Sequence, residues 1–396
     1  MEKKIKQRLL ILSHKSPYAP VDGGVLAIRH FFEALVQDAH FEVFMICLST
    51  QKHPHGKVPE AFQKQIKAID IDTSLSKRNA LIQLVKNKSY NLSRFYKHTI
   101  SQDIQSHLDE QPDYDFILFE SLFSTVYFDD LKAKFKGKFL YRSHNLEYRI
   151  WEGLAELESS FLKKSYLKYL AKSLKTYELK LCQNIDAIFT ISSSDLSDYQ
   201  NITKKKVYHL AYIRALEKEE KSIESTQFFH LGSMDWKPNI EAVDWLIERV
   251  WKPCFALNPD LRLHLAGKAM PERFFKLKSY GIEAQDYVAK GNEFMKTKGT
   301  LLVPLFAGSG VRIKLVDALC MHIPFISTTL GTQGLGLDDD LALIADNETD
   351  FQQHILAVAD GSIKLKEQVE KGFQFAENQF SKQTVVQKFK TQLNQI

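Results

Sequence analysis

Residues Pro304–Gly336 read PLFAGSGVRIKLVDALCMHIPFISTTLGTQGLG, and the parsing of the whole chain turns on this stretch. A hydrophobic run, Thr300 to Phe306, enters a small-residue loop, Ala307-Gly308-Ser309-Gly310. The pattern predicts a helix next, with Arg312 and Lys314 on its first turns and Asp317 further in, then a second strand, Ile323 to Ser327, and a Gly/Thr loop. Backbone N–H groups at a helix N-terminus, backed by the helix dipole and fixed cations, bind anions. Glycine lets an anionic ligand approach the backbone closely. Asp317 falls about two turns inside the helix at ~1.5 Å rise per residue, within reach of the polar hydroxyls of the same ligand. Cations for a diphosphate and an acid for a ribose suit a nucleotide. A plain strand–loop–helix unit of any α/β protein has the same local pattern, so context has to decide.

The chain has 396 residues, 44% hydrophobic and 26% charged, an ordinary globular composition long enough for two or three domains. No run reaches the ~18 apolar residues of a membrane span. The start, MEKKIKQRLLILSHKSPY, has an apolar core of only Leu9 to Leu12 and no small-residue cleavage site, so it reads as a first buried strand and not as a leader. Cys47, Cys182, Cys254 and Cys320 form no C-x-x-C pair, which fits a reducing cytoplasm. The net charge of +5 is uneven: residues 1–205 carry 30 Lys and Arg against 24 Asp and Glu (net +6), the remainder 23 against 24 (net −1). The excess lies in two basic amphipathic segments, Lys77 to Lys97 and Lys163 to Lys180, with Leu81, Leu84 and Val85, or Leu162, Tyr166, Leu167 and Leu170, at helical spacing. Such segments are solvated helix faces or contacts for an anionic bilayer surface or lipid-linked acceptor. Nucleic acid is not expected, because no aromatics interleave with the cations.

Short β-branched or aromatic runs alternate with helical patterns. Strands are expected at Arg8–Ser13, Phe41–Leu48, Ala68–Ile71, Phe116–Phe119, Phe139–Arg142 and Ala187–Ile191. A second series follows at Phe228–Leu231, Arg262–Ala266, Asp286–Val288, Leu301–Phe306 and Pro324–Ser327. This alternation predicts an α/β fold with two parallel-sheet, Rossmann-like domains, divided within Tyr208 to Thr226. The absence of Gly-x-Gly-x-x-Gly after the first strand argues against a nicotinamide dehydrogenase.

The segment Gly310, Arg312, Lys314, Asp317, Pro324-Phe325-Ile326-Ser327-Thr328 and Gly331-Thr332-Gln333-Gly334-Leu335 resembles the donor-site signature of the GT-B glycosyltransferases of family 4. The likeness is good over roughly Gln227 to Gly336 and patchier before it. It implies two Rossmann-like domains facing a central cleft: an acceptor-side domain at 1–207, a nucleotide-sugar donor domain at 208–380, and a helix at 381–396 crossing back to the first. It also implies a retaining, metal-independent sugar transfer without a cofactor, from a nucleotide-diphosphate donor to a saccharide or lipid-linked acceptor. Cell-surface polysaccharide or glycoconjugate assembly is the expected setting, with the protein cytoplasmic and in peripheral contact with anionic membrane.

Further residues match by position. SPYAPVDGG (Ser16–Gly24) follows the first strand; Gly23 and Gly24 open a helix, as a tight turn or, as the resemblance implies, as the acceptor-side phosphate loop. Tyr141-Arg142-Ser143-His144-Asn145-Leu146-Glu147 lies at the carboxyl end of a strand, where open α/β sheets bind ligands. His144 resembles the family histidine that reaches the donor sugar and phosphates, and it titrates near neutrality. His230-Leu231-Gly232-Ser233 resembles the loop opening the donor domain, so Gly232, Ser233, Gly308, Ser309, Gly310 and Asp317 are candidate donor contacts, with Arg312 and Lys314 charging the diphosphate. The chain departs from the family at Ser233, where many relatives place an arginine, at Lys237, offset by one residue, and at Ser309, separated from Asp317 by seven residues, where a glutamate is usual. Two alternatives follow: a degenerate protein that binds a sugar nucleotide without transfer, and an epimerase-type enzyme. Asp113/Asp115 and Asp338/Asp340 imitate a metal-binding Asp-x-Asp, but no His/Cys cluster accompanies them and no metal site is expected.

Overall fold

The computed structural model describes residues 6–20, 22–74, 89–217, 224–307, 310–337, 341–363 and 365–396. Gly308, Ser309, Asp338, Asp340, Leu81, Leu84 and Val85 lie outside them. The chain divides into two compact units, one running to Ile213 and taking back Val385–Ile396, the other Arg214–Thr384.

In the first unit, β1 (Gln7–Ser13), β2 (Phe41–Ser49), β3 (Ile66–Asp70), β4 (Phe116–Glu120), β5 (Lys138–Ser143), β6 (Ala187–Thr190) and β7 (Lys206–His209) form one sheet ordered β3-β2-β1-β4-β5-β6-β7. Every neighbouring pair is parallel. Strands buried on both faces read as continuous apolar runs; Leu9, Leu10, Ile11 and Leu12 are at most 2% exposed. Helix α1 (Gly23–Val36) buries Val25, Ile28, Phe31, Phe32 and Leu35, an apolar stripe at helical spacing. The link from β5 to β6 is a helical hairpin, α2 (Glu147–Leu157) and α3 (Phe161–Asn184). It is tied down by Glu178 on α3, whose buried carboxyl accepts from the Tyr199 hydroxyl at 2.5 Å, while that hydroxyl also lies 2.9 Å from Ser143 Oγ at the end of β5. Burial, then the charge of Glu178, pushes Glu147 up to about 8; burial pushes Glu178 up to about 7.

The C-terminal helix, Lys382–Leu393, contributes its last turns to this unit. Phe389 is fully buried, with ring centroids 5.3 Å from Phe31, 5.8 Å from Phe41 and 5.1 Å from Phe189, so it joins α1, β2 and β6. Lys390 adds an ion pair to Asp38 at 2.8 Å.

In the second unit, β8 (Gln227–Leu231), β9 (Arg262–Ala266), β10 (Ile282–Gln285), β11 (Thr300–Val303), β12 (Phe325–Ser327) and β13 (Leu343–Ile344) form a parallel sheet ordered β10-β9-β8-β11-β12-β13. The strand expected at Asp286–Val288 lies earlier, at β10. Ile282 is fully buried opposite Leu263, whereas Tyr287, which made the later run look strand-like, is 71% exposed. Helices α4 (Lys237–Trp245) and α5 (Ile313–Cys320) begin in the loops after β8 and β11.

Phe389→Ala should destabilise the first unit by about 3–5 kcal/mol, as truncating a buried aromatic in a closed cluster does. Chemical denaturation checks it; a loss within ~0.5 kcal/mol would mean that the helix end is not part of the core.

Candidate active site

In both sheets the strand order reverses once, between β1 and β4 and between β8 and β11. Loops leaving the carboxyl ends of such a pair diverge, and the crevice they leave is where open α/β sheets hold ligands. The polar groups of each unit collect there.

In the first unit, β4 ends on Glu120, a fully buried carboxylate. Arg142, on the neighbouring strand β5, donates through Nη1 to Glu120 Oε1 at 2.9 Å. His144 directs Nε2 at Glu120 Oε2, 2.7 Å away. Burial would raise the Glu120 carboxyl, but the Arg142 guanidinium and His144 outweigh it and hold Glu120 below its usual range. An ionised acceptor on Nε2 fixes the proton there and leaves Nδ1 as the imidazole's other face. Burial keeps His144 itself below its ordinary value, with Glu120 opposing. After β1, Lys15 pairs with Asp22 at 2.9 Å, His53 Nε2 stands 2.8 Å from the second Asp22 oxygen, and Asp22 caps α1 by accepting from Val25 N–H at 2.7 Å. Gly23 and Gly24 are the first residues of α1. A Cβ on Gly24 would lie 2.7 Å from Lys15 Nζ, so glycine there admits the lysine to the helix end. His14 Nδ1 lies 3.3 Å from the Glu120 carbonyl, linking the two groups.

In the second unit, Gly232 follows β8. A Cβ there would stand 3.0 Å from His230 Nε2, 3.0 Å from Lys314 Nζ and 3.3 Å from Asn239 Nδ2, so three nitrogens converge on the space that glycine leaves open. His230 Nδ1 faces the Leu302 carbonyl at 2.8 Å, which places its proton there. Burial, then the Lys314 charge, lowers His230 to about 3, so it stays neutral. The Lys314 ammonium is buried with no hydrogen-bond partner among the described residues. Burial, with Arg312 adding to it, lowers Lys314 to about 7. A buried polar group without a partner costs free energy that a ligand can recover.

The other sequence candidates are placed as follows. Arg312 caps α5 and donates through Nη1 to the Gly310 carbonyl at 2.7 Å; Gly310 has φ +80°, which favours glycine. Ser233 directs its hydroxyl to Asp235 at 2.7 Å and its carbonyl accepts from Asn239 Nδ2 at 2.8 Å. Asp317 stands 2.7 Å from Arg214 Nε; burial lifts its carboxyl to about 6, with Arg214 opposing. Much of the Pro324–Leu335 motif is structural: Ser327 Oγ donates to the Val303 carbonyl, Thr328 Oγ1 to that of Leu305, and a Cβ on Gly331 would meet Ser327 Oγ at 2.1 Å. Asp113 and Asp115 serve the opposite edge of the first sheet. Arg8 lies 3.5 Å from Asp113, and the Arg8 N–H donates to Asp115 at 2.7 Å. Among the described residues no three His, Cys, Asp or Glu side chains are grouped to hold a metal. Glu120, Lys15, Asp22, His53 and His230 were not singled out from sequence. The available signal was a charged residue closing an apolar run, as in FILFE and LLILSHK.

Residues 225–360 match the family model described as glycosyl transferases group 1. A relative named "Uncharacterized 44.6 kDa protein in cps region", from Klebsiella pneumoniae, is 23% identical over 390 residues, 96% of this chain and 97% of its own. HepE of Anabaena, solved in complex with UDP, superposes with a TM-score of 0.66 at 11% identity, covering 98% of this chain and 100% of that one. WaaG, described as a glycosyltransferase involved in lipopolysaccharide biosynthesis, does so with a TM-score of 0.63 at 14% identity, covering 96% and 98%. The two parallel-sheet units thus have the GT-B fold, and the match to the group 1 glycosyl transferase model lies within the second.

Lys314 sets a pH dependence whose sign follows from linkage. Its pKa of about 7 in the folded chain lies below the ordinary 10.5. Between these values the unfolded state holds a proton that the folded state has lost, so stability rises with pH across that window. Below about 7 the cost of burying the ammonium is fully present. Lys314→Met should therefore stabilise the protein at pH 6 by roughly 2–4 kcal/mol, an advantage that shrinks towards pH 9–10. Denaturation at both pH values checks it; destabilisation at each would mean that the ammonium is well paired.

Proposed function

We propose that this glycosyltransferase moves a sugar from a nucleoside diphosphate donor to a hydroxyl of a saccharide or lipid-linked acceptor, with retention at the anomeric carbon, in cell-surface polysaccharide assembly on the inner side of a membrane. The observation that carries this reading is the buried Lys314 ammonium, without a hydrogen-bond partner among the described residues, facing the gap at Gly232, at the strand-order reversal of the second sheet. Bound UDP in the HepE structure and the lipopolysaccharide role of WaaG support the donor class and the setting.

In the reaction the acceptor oxygen bonds to the anomeric carbon, the bond from that carbon to the diphosphate oxygen breaks, and the hydroxyl proton leaves with the diphosphate. The chemical demand is charge on the departing oxygens. Lys314, Arg312 and the N-terminus of α5 meet it, positioned before the reaction and shielded from water. Gly232 and Ser233 let the donor approach, and Gly308, Ser309 and Gly310 serve its sugar. Asp317 takes the ribose, and Gly23 and Gly24 serve the acceptor side. His144, oriented by Glu120, presents Nδ1 to the sugar. Because side-chain cations carry the diphosphate, turnover should persist in a strong divalent chelator.

Lys314→Ala should weaken UDP binding and cut turnover by about 10²–10³, equivalent to ~3–4 kcal/mol. His144→Ala should lose transfer while keeping UDP affinity, and Glu120→Gln should follow it, since it releases the imidazole. Calorimetric titration with uridine, guanosine and adenosine diphosphates, paired with donor-turnover assays, separates these outcomes. Wild-type UDP affinity and turnover in Lys314→Ala would refute the assignment. Tight UDP binding with no turnover on any acceptor, and no hydrolysis of the donor, would make the protein a binder.

A further inference from the structure

We propose that the tip of the α2–α3 hairpin is an interfacial anchor that seats Phe161, Leu162 and Tyr166 in the surface of an anionic bilayer. The inference deepens the reading of a membrane-side acceptor and rests on it for its biological purpose, though not for its physical argument.

The first turns of α3 carry apolar side chains that the fold leaves in water. Phe161 is 79% exposed, Leu162 80% and Tyr166 42%. The buried face of α3 begins later, with Leu170, Ala171, Leu174, Glu178, Leu181 and Cys182. Packing against α2 and the sheet therefore does not account for the first two turns. A parallel crossover needs only about a dozen residues, yet residues 144–186 separate β5 from β6, and α3 alone is 24 residues long, roughly 36 Å at 1.5 Å per residue.

Charge identifies what covers the patch. Residues 161–172, FLKKSYLKYLAK, hold four lysines and no acid. Lys163, Lys168 and Lys172 are exposed, and Phe161, Ser165, Lys168 and Lys172 recur at i, i+4, i+7 and i+11 along one face. The nearby acids are on the preceding segment: Glu158 is engaged by the Ser160 N–H at 2.9 Å, and Glu156 lends its carbonyl to Lys164 at 3.3 Å. A strip with apolar groups at one end, a tyrosine beside them and lysines along the flank fits the layered chemistry of a bilayer surface. Phe and Leu enter the acyl boundary, Tyr sits at the headgroups, and long lysine stems let the ammonium groups reach lipid phosphates. Each lysine near an anionic leaflet strengthens binding by about fivefold, equivalent to about 1 kcal/mol.

The test uses the full chain with vesicles of phosphatidylcholine alone and of phosphatidylcholine mixed with phosphatidylglycerol. Wild-type protein should co-sediment with the mixed vesicles at low salt, weaken as salt rises, and leave pure phosphatidylcholine unbound. Lys163→Glu/Lys168→Glu/Lys172→Glu should lower the affinity by about a hundredfold or more, and Phe161→Ser/Leu162→Ser by at least tenfold, both with unchanged melting temperature. In a Phe161→Trp variant, mixed vesicles should shift the added fluorescence to the blue. Equal binding to both vesicle types, no binding at low salt, wild-type binding by Phe161→Ser/Leu162→Ser, or concentration-dependent self-association that needs Phe161 would each overturn the anchor. Both multiple variants should keep wild-type UDP affinity and donor turnover. Failure of those assays in the wild type, with vesicle binding intact, would count against the transferase reading and leave the anchor standing.

Discussion

Every strand pair in both sheets is parallel, so all strands of a sheet deliver their carboxyl ends to one edge. The interiors of these strands are apolar because both of their faces are covered, which leaves the strand ends as the place where charge can be held. In the first sheet Glu120, Ser143, His144 and Lys15 fall at that edge; in the second, Gly232 does, and Arg312 and Lys314 enter from the loop after β11. Chemistry is thus confined by topology before any particular side chain is chosen.

The two units resolve the burial of charge differently. In the first, charges are compensated: Glu120 lies between Arg142 and His144, and Asp22 between Lys15 and His53. Removing Arg142 would leave the fully buried Glu120 charge without its main partner, at a cost of about 3–5 kcal/mol, so that group holds geometry rather than waits for a ligand. In the second unit, Lys314 is buried without a hydrogen-bond partner among the described residues, and its neighbour His230 is kept neutral. Keeping His230 uncharged avoids a second cation without removing the first. An anion at Lys314, as proposed, would supply the partner that the buried ammonium lacks among the described residues and recover part of the cost of its burial.

The alternating pattern was enough to read two parallel α/β units, and the places of Gly232, Lys314 and His144, directly after a strand or at a helix start, were legible with it. Their partners were not. Glu120 closes the apolar run FILF and reads as a strand end, and only the pairing of β4 with β5 brings it to Arg142. Arg214 meets Asp317 from a hundred residues away in sequence, a contact with no local signature. The Asp286–Val288 strand failed because Tyr287 has strand propensity but no neighbour to pack against, while the quieter IEAQ run is held by its register with β9. The Pro324–Leu335 motif carried information of a different kind. Its hydroxyls tie β12 to the end of β11, so its resemblance to a donor-site signature reports the scaffold beneath the ligand as much as contacts to it.

The α2–α3 hairpin shows how one element can serve both stability and placement. Its far end is fixed by Glu178, which burial raises to about 7 and which accepts from Tyr199 beside Ser143, next in sequence to His144. Raising Glu178 and Glu147 weakens the negative charge beside Glu120, which Arg142 and His144 hold ionised. The near end, about 25 Å back along α3 at 1.5 Å per residue, exposes Phe161 and Leu162. A rigid helix fixed at one end and apolar at the other transmits position: whatever holds Phe161 also sets where Ser143 and His144 lie relative to it. A lipid surface in that role would fix the depth at which the histidine works, which a flexible tether of the same length would not.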